Sequence, residues 1–98
     1  MTSSTHRLPG SAAHRNLTPV ETAARRLAHA EAAQAAAERA EEHVDNRIVA
    51  HGGPAYCSPA LIAQLMRAHE RVFVAGVDVR RWQQRLAVAL VAENGGLG

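Results

Sequence analysis

Residues 72–86 read VFVAGVDVRRWQQRL, and the architecture turns on Gly76 within them. Upstream, Leu61, Ile62, Leu65, Met66, His69, Val72 and Phe73 recur at i, i+3 and i+4, which is the stripe of an amphipathic helix over Ala60–Ala75. Ser58-Pro59 supplies its start signal, an N-cap followed by a residue with no N–H to leave unpaired. Gly76 then reads as a left-handed C′ residue, with Val77 giving the apolar contact that accompanies such a cap. Asp78 becomes the N-cap of a third helix from Val79 to about Glu93, ending at Asn94-Gly95-Gly96. The Val-rich composition of Val72–Val79 is strand-like, but the helical spacing on both sides outweighs it.

Working back toward the N-terminus, residues 51–57 (HGGPAYC) form a connector, because Gly52-Gly53 frees the backbone and Pro54 forbids a continuing helix. Before it, Thr18-Pro19-Val20-Glu21 is a capping box with proline at the first helical position. No Gly or Pro follows until Gly52, and eleven of the 33 residues 18–50 are alanine. Two rows seven residues apart mark the packing face: Val20, Leu27, Gln34, Glu41 and Ile48 on one, Ala23, Ala30, Ala37 and Val44 on the other. Gln34 and Glu41 interrupt a strict leucine-type seam. Residues 1–17 lack apolar periodicity and are expected to form a flexible basic tail. The fold expected is therefore all-α: one long Ala-rich helix followed by a shorter αα-hairpin. It comprises a single domain over residues 18–94, with helices at about 18–50, 59–75 and 79–93.

Helix lengths carry a consequence. At ~1.5 Å per residue the first helix spans roughly 50 Å and each hairpin helix about 25 Å, so the hairpin covers only half of it. The Ala-rich half then wants a partner, which a second copy supplies. Leu86-Ala-Val-Ala-Leu-Val-Ala92 is apolar around the whole helix and asks for burial on all sides. A homo-oligomer is expected, joined through Val20, Leu27, Ala30, Ala37, Leu86 and Leu90.

All eleven basic residues are Arg and none is Lys, against nine acids. The missing lysine is the mark of a high-GC genome and fits an accessory product of a bacterium, phage or plasmid. Residues 18–50 carry a net charge of −2 and residues 51–98 a net of +2. The acids Glu38, Glu41, Glu42 and Asp45 are expected to lie beside the Arg group and orient the hairpin. Alternatively, Arg67, Arg71, Arg80, Arg81, Gln84 and Arg85 form a nucleic-acid face. Gly76–Leu86 resembles the turn and recognition helix of a helix-turn-helix, where Arg and Gln read guanine and adenine edges.

For chemistry the residues offer little. The six histidines do not fall at metal-ligand spacing: His29 and His43 stand roughly 20 Å apart along one helix, and His69-Glu70 lacks the second His of a zincin helix. No metal and no cofactor is expected. Cys57 near the start of the second helix has only His51 as a nearby base, across a Gly-Gly-Pro turn, and reads as an inert thiol. The order of a long helix, a loop and two shorter helices resembles the helical chorismate mutases. That resemblance implies a dianionic substrate held by Arg and Lys between dimer-related helices; the absence of Lys departs from it. A single cysteine, no apolar run of membrane-spanning length and no secretory core in residues 1–17 point to a cytoplasmic protein. The function expected is non-enzymatic, through self-association or binding of another protein.

Overall fold

The computed structural model describes residues 16–95; all but the last two residues of the expected tail lie outside that range. It holds two long helices, α1 (Pro19–Ala50) and α2 (Pro59–Gly95), joined by a connector containing one 3-10 turn at Pro54–Tyr56. Among the described residues there is no strand. The all-helical class and the start and end of α1 are as expected. The number of helices is not: the second and third expected helices are one.

Local chemistry sets the ends of α1. The Thr18 hydroxyl accepts from the Glu21 N–H at 3.0 Å while the Glu21 carboxylate accepts from the Thr18 N–H at 3.0 Å, closing the capping box. At the other end the Gly53 N–H reaches the Ile48 carbonyl and the Gly52 N–H the Val49 carbonyl, both at 3.0 Å. This is the paired bonding of a Schellman motif, with Gly52 at φ 97° as its left-handed residue. A Cβ on Gly52 would also stand 3.3 Å from the Tyr56 ring. The Ser58 hydroxyl then accepts from the Leu61 N–H at 3.2 Å, so α2 starts where its N-cap signal stands.

Gly76 behaves differently from Gly52. Its φ is not positive, and the helix runs through it. Two physical reasons account for this. The row Leu61, Leu65, Ala68, Val72, Ala75, Val79, Trp82, Leu86 and Ala89 alternates steps of four and three without a break, and every member is buried or half-buried. Ending the helix at Gly76 would throw Val79, Trp82, Leu86 and Ala89 off that seam. Gly76 is moreover buried against α1: a Cβ there would meet the Gln34 amide nitrogen at 3.3 Å. The missing side chain gives room to the polar residue that interrupts the α1 seam.

The helices pack antiparallel as a two-stranded coiled coil. On α1 the expected rows are the ones covered: Val20, Ala23, Leu27, Ala30, Gln34, Ala37, Glu41, Val44 and Ile48 are all buried or half-buried. Each polar interruption has its own partner, since Gln34 lies against Gly76 and the Glu41 carboxylate binds His69 Nδ1. At ~1.5 Å per residue α1 is about 48 Å long and α2 about 55 Å, so α2 covers the whole of α1. The overhang expected from three helices does not exist.

Candidate interaction surfaces

With one seam between two helices, everything else faces outward. Among the described residues the buried apolar ones are Ala23, Ala30, Ile48, Leu61, Ala68 and Val79, and no large side chain is completely enclosed. Half of that set is alanine, which removes little area from water. Meanwhile Met66 (63% exposed), Phe73 (67%), Val74, Val88 and Val91 (70%) stand open along α2. Met66 and Phe73 belong to the sequence stripe, but the stripe is wider than the seam and they fall outside it.

Charge is sorted across the seam. Arg47 donates to the Gln64 side chain at 3.4 Å, and Arg26 and Arg85 stand over Trp82 at 5.6 and 5.2 Å from the ring centre. These contacts place Arg26, Arg47 and Arg85 on one flank. A groove of about 630 Å³ on that flank is lined by Ala33, Ala37, Arg67, Arg71, Val74 and Arg81, among others. A second, of about 800 Å³ near the open end, adds Trp82, Gln84, Arg85 and Val88. Alanines of α1 form the floor and arginines of α2 the rim. Asp78, which pairs with Arg81 at 3.5 Å, and Glu70 are the acids at this rim.

The other flank is acidic and apolar. Glu31, Glu38 and Asp45 recur every seven residues and so share one side of α1, opposite Arg26, Ala33, Ala40 and Arg47. Glu42 lies one step farther round, and all four acids are exposed. Facing them across the seam, α2 presents Ile62, Met66, His69, Phe73 and Leu90.

The expected site residues divide accordingly. Arg67, Arg71, Arg81, Gln84 and Arg85 line the grooves together. Arg80 does not join them; its guanidinium turns back to within 3.7 Å of the Cβ position of Gly76, on the Gln34 side. With Gly76 inside a helix, the turn of a helix-turn-helix is missing, and the layout shared with helical chorismate mutases is not present either. The expected docking of acids onto the Arg group is replaced by one interhelical carboxylate–imidazole contact among the described residues, Glu41–His69. Of the residues expected to join two copies, Val20, Leu27, Ala30, Ala37 and Leu86 are occupied within the chain, and Leu90 remains 41% exposed.

The candidates for reactive chemistry are scattered. Cys57 Sγ, half-buried in the connector, lies 3.3 Å from the Gly53 carbonyl and is positioned to donate to it. His69 has Nδ1 satisfied by Glu41, as a packed histidine would, although half of its side chain is exposed. Among the described residues no three His, Cys, Asp or Glu side chains gather, and no helix is long and apolar enough to cross a membrane. Comparison with protein-family models, curated proteins and solved structures finds no match for this chain.

Proposed function

We propose that this chain is a non-enzymatic helical-hairpin module that works by self-association through the faces its single seam leaves open. The observation that carries this reading is the exposed apolar row of α2, headed by Met66 and Phe73, in a hairpin that encloses no large side chain. A chain of this size has little core to spare, and an antiparallel pair of helices becomes a bundle when a second pair covers it. α1 is covered along its length, and it is the outer face of α2 that is left open.

Burying a phenylalanine side chain is worth roughly 1.5–3 kcal/mol, or about 10- to 100-fold in an association constant. Phe73→Asp is therefore expected to weaken assembly by at least about tenfold in light scattering while far-UV circular dichroism stays unchanged. Assembly that persists undiminished in Phe73→Asp and in Met66→Ser would remove the basis of the proposal.

A second reading, binding of nucleic-acid phosphate, draws on the four arginines Arg67, Arg71, Arg81 and Arg85 that α2 gathers on one flank. It calls for retardation of duplex DNA at low salt that Arg81→Ala plus Arg85→Ala abolishes. Affinity indifferent to that change would end it.

A further inference from the structure

The two flanks of the hairpin are unlike each other and complementary, which bears on how a second copy docks. This inference rests on the self-association reading and specifies its geometry. We infer that copies stack face to back, the arginine flank of one receiving the acidic–apolar flank of the next.

Three observations carry it. First, charge is separated and not in excess: residues 16–95 hold nine Arg and nine Asp or Glu. Six of those arginines (Arg26, Arg47, Arg67, Arg71, Arg81 and Arg85) stand on the groove flank with Glu70 and Asp78, whereas Glu31, Glu38, Glu42 and Asp45 stand on the other with Arg80. A balanced, dipolar surface matches another copy of itself better than it matches a polyanion. Second, shape follows charge. The groove floor is alanine with Val74 beside it, a recess fit for apolar side chains, and the opposite flank projects Met66 and Phe73.

Third, the register agrees. The Gln34–Gly76 contact marks the middle of the hairpin. Turning a second copy by half a revolution about the normal to the hairpin at that point lays its α1 along the first copy's α2, in the same direction. Glu38 and Glu42, four and eight residues beyond Gln34, then come level with Arg81 and Arg85, five and nine beyond Gly76. Asp78, two residues beyond Gly76, also comes near Glu38 on this overlay, but Arg81 stands between them and pairs with Asp78 at 3.5 Å; each copy keeps one flank free for the next. The contact is heterologous, so it extends as an open stack and does not close at two.

Charge reversal on each flank separately provides the test, because mixing the two variants has a distinctive result. Arg81→Glu plus Arg85→Glu disables the receiving flank; Glu38→Arg plus Glu42→Arg disables the inserted one. Glu and Arg are both good helix formers, and the exchanged positions are exposed, so circular dichroism should match the wild type. Each variant alone is expected to require at least about tenfold higher concentration to assemble. An equimolar mixture should recover assembly as an alternating stack, since the introduced glutamates of one variant then face the introduced arginines of the other while the native pairs form at the second contact. The wild type gives a third measurement independent of the variants: its stack should shorten as salt rises from about 0.05 to 0.5 M.

Variants that assemble as the wild type does would overturn the stacking geometry while leaving self-association intact. So would a mixture that stays monomeric, or a wild-type assembly that stops at a salt-indifferent dimer. If assembly ignored the reversals and only duplex-DNA binding were lost with Arg81→Glu plus Arg85→Glu, the arginine flank would belong to nucleic acid. A wild type that is monomeric throughout would instead overturn the self-association reading itself.

Discussion

Replacing Gly76 with alanine separates a continuous α2 from a helix–turn–helix by the sign of a stability change. In a helix interior Gly→Ala stabilises by about 1 kcal/mol, because glycine surrenders more backbone freedom on folding. Against that stands one contact: the new Cβ would lie 3.3 Å from Gln34 Nε2 and 3.7 Å from an Arg80 guanidinium nitrogen. The second distance is ordinary packing. The first needs the Gln34 amide to yield by a few tenths of an ångström. That amide ends a flexible, half-buried side chain, so the adjustment costs about 0.5 kcal/mol. The net expectation is a gain of about 0.5 kcal/mol, or roughly 2–4 °C in Tm for a chain of this length.

In a Gln34→Ala background the contact vanishes, and Gly76→Ala should gain the full ~1 kcal/mol; the difference is the coupling between the two sites. Urea unfolding followed by far-UV circular dichroism measures all four species, at one fixed protein concentration because assembly also stabilises the folded chain. Had Gly76 been a left-handed cap, Ala would cost about 1–2 kcal/mol in both backgrounds. A loss of that size would refute the continuous helix and restore the three-helix architecture.

Other substitutions probe the parts around it. Trp82→Ala removes a half-buried seam residue held between Arg26 and Arg85, and urea unfolding should register a loss of about 2–3 kcal/mol; a loss no greater than that of Arg26→Ala, about 0.5–1 kcal/mol, would contradict its place in the seam. Gly53→Ala meets a φ of 115° and should destabilise by more than 1 kcal/mol although nothing lies within 4 Å of the added Cβ, whereas an unchanged midpoint would mean that the connector relaxes freely. Thr18→Ala opens the capping box and should cost about 1 kcal/mol, with hydrogen exchange rising in the first turn of α1 and not in α2.

Much of the fold was legible in the sequence, and the one large error has a definite cause. Thr18-Pro19-Val20-Glu21, the Ala-rich run and Gly52-Gly53-Pro54 each agree with the structure because local chemistry acts alone there. The seven-residue rows of α1 also identify its covered face, including Gln34 and Glu41, the polar interruptions of the seam. Gly76 differs from its expected role because a glycine followed by Val and Asp resembles a cap in sequence. Gly52, which does end a helix, has a second glycine and a proline behind it; Gly76 has neither, and the four-three alternation from Leu61 to Ala89 runs straight through. That alternation is a non-local signal: it gains meaning only when α1 lies opposite, with Gln34 filling the space that Gly76 leaves.

The candidate surfaces were half legible for a related reason. Five of the six polar residues singled out, all but Arg80, do gather at the grooves. Which acids they would avoid depends on helix pairing, and a single continuous α2 sends Glu31, Glu38 and Asp45 to the opposite flank. The exposure of Phe73 was hidden too, since a residue on an apolar stripe reads as core until the width of its partner is known.

The central claim is that an open-faced hairpin assembles with copies of itself, and its molar mass in solution tests that most directly. Sedimentation equilibrium from about 5 to 200 µM should give a mass that climbs with concentration above the 10.5 kDa of one chain and, at the top of the range, passes that of a dimer. A mass fixed at 10.5 kDa across the whole range would contradict the account.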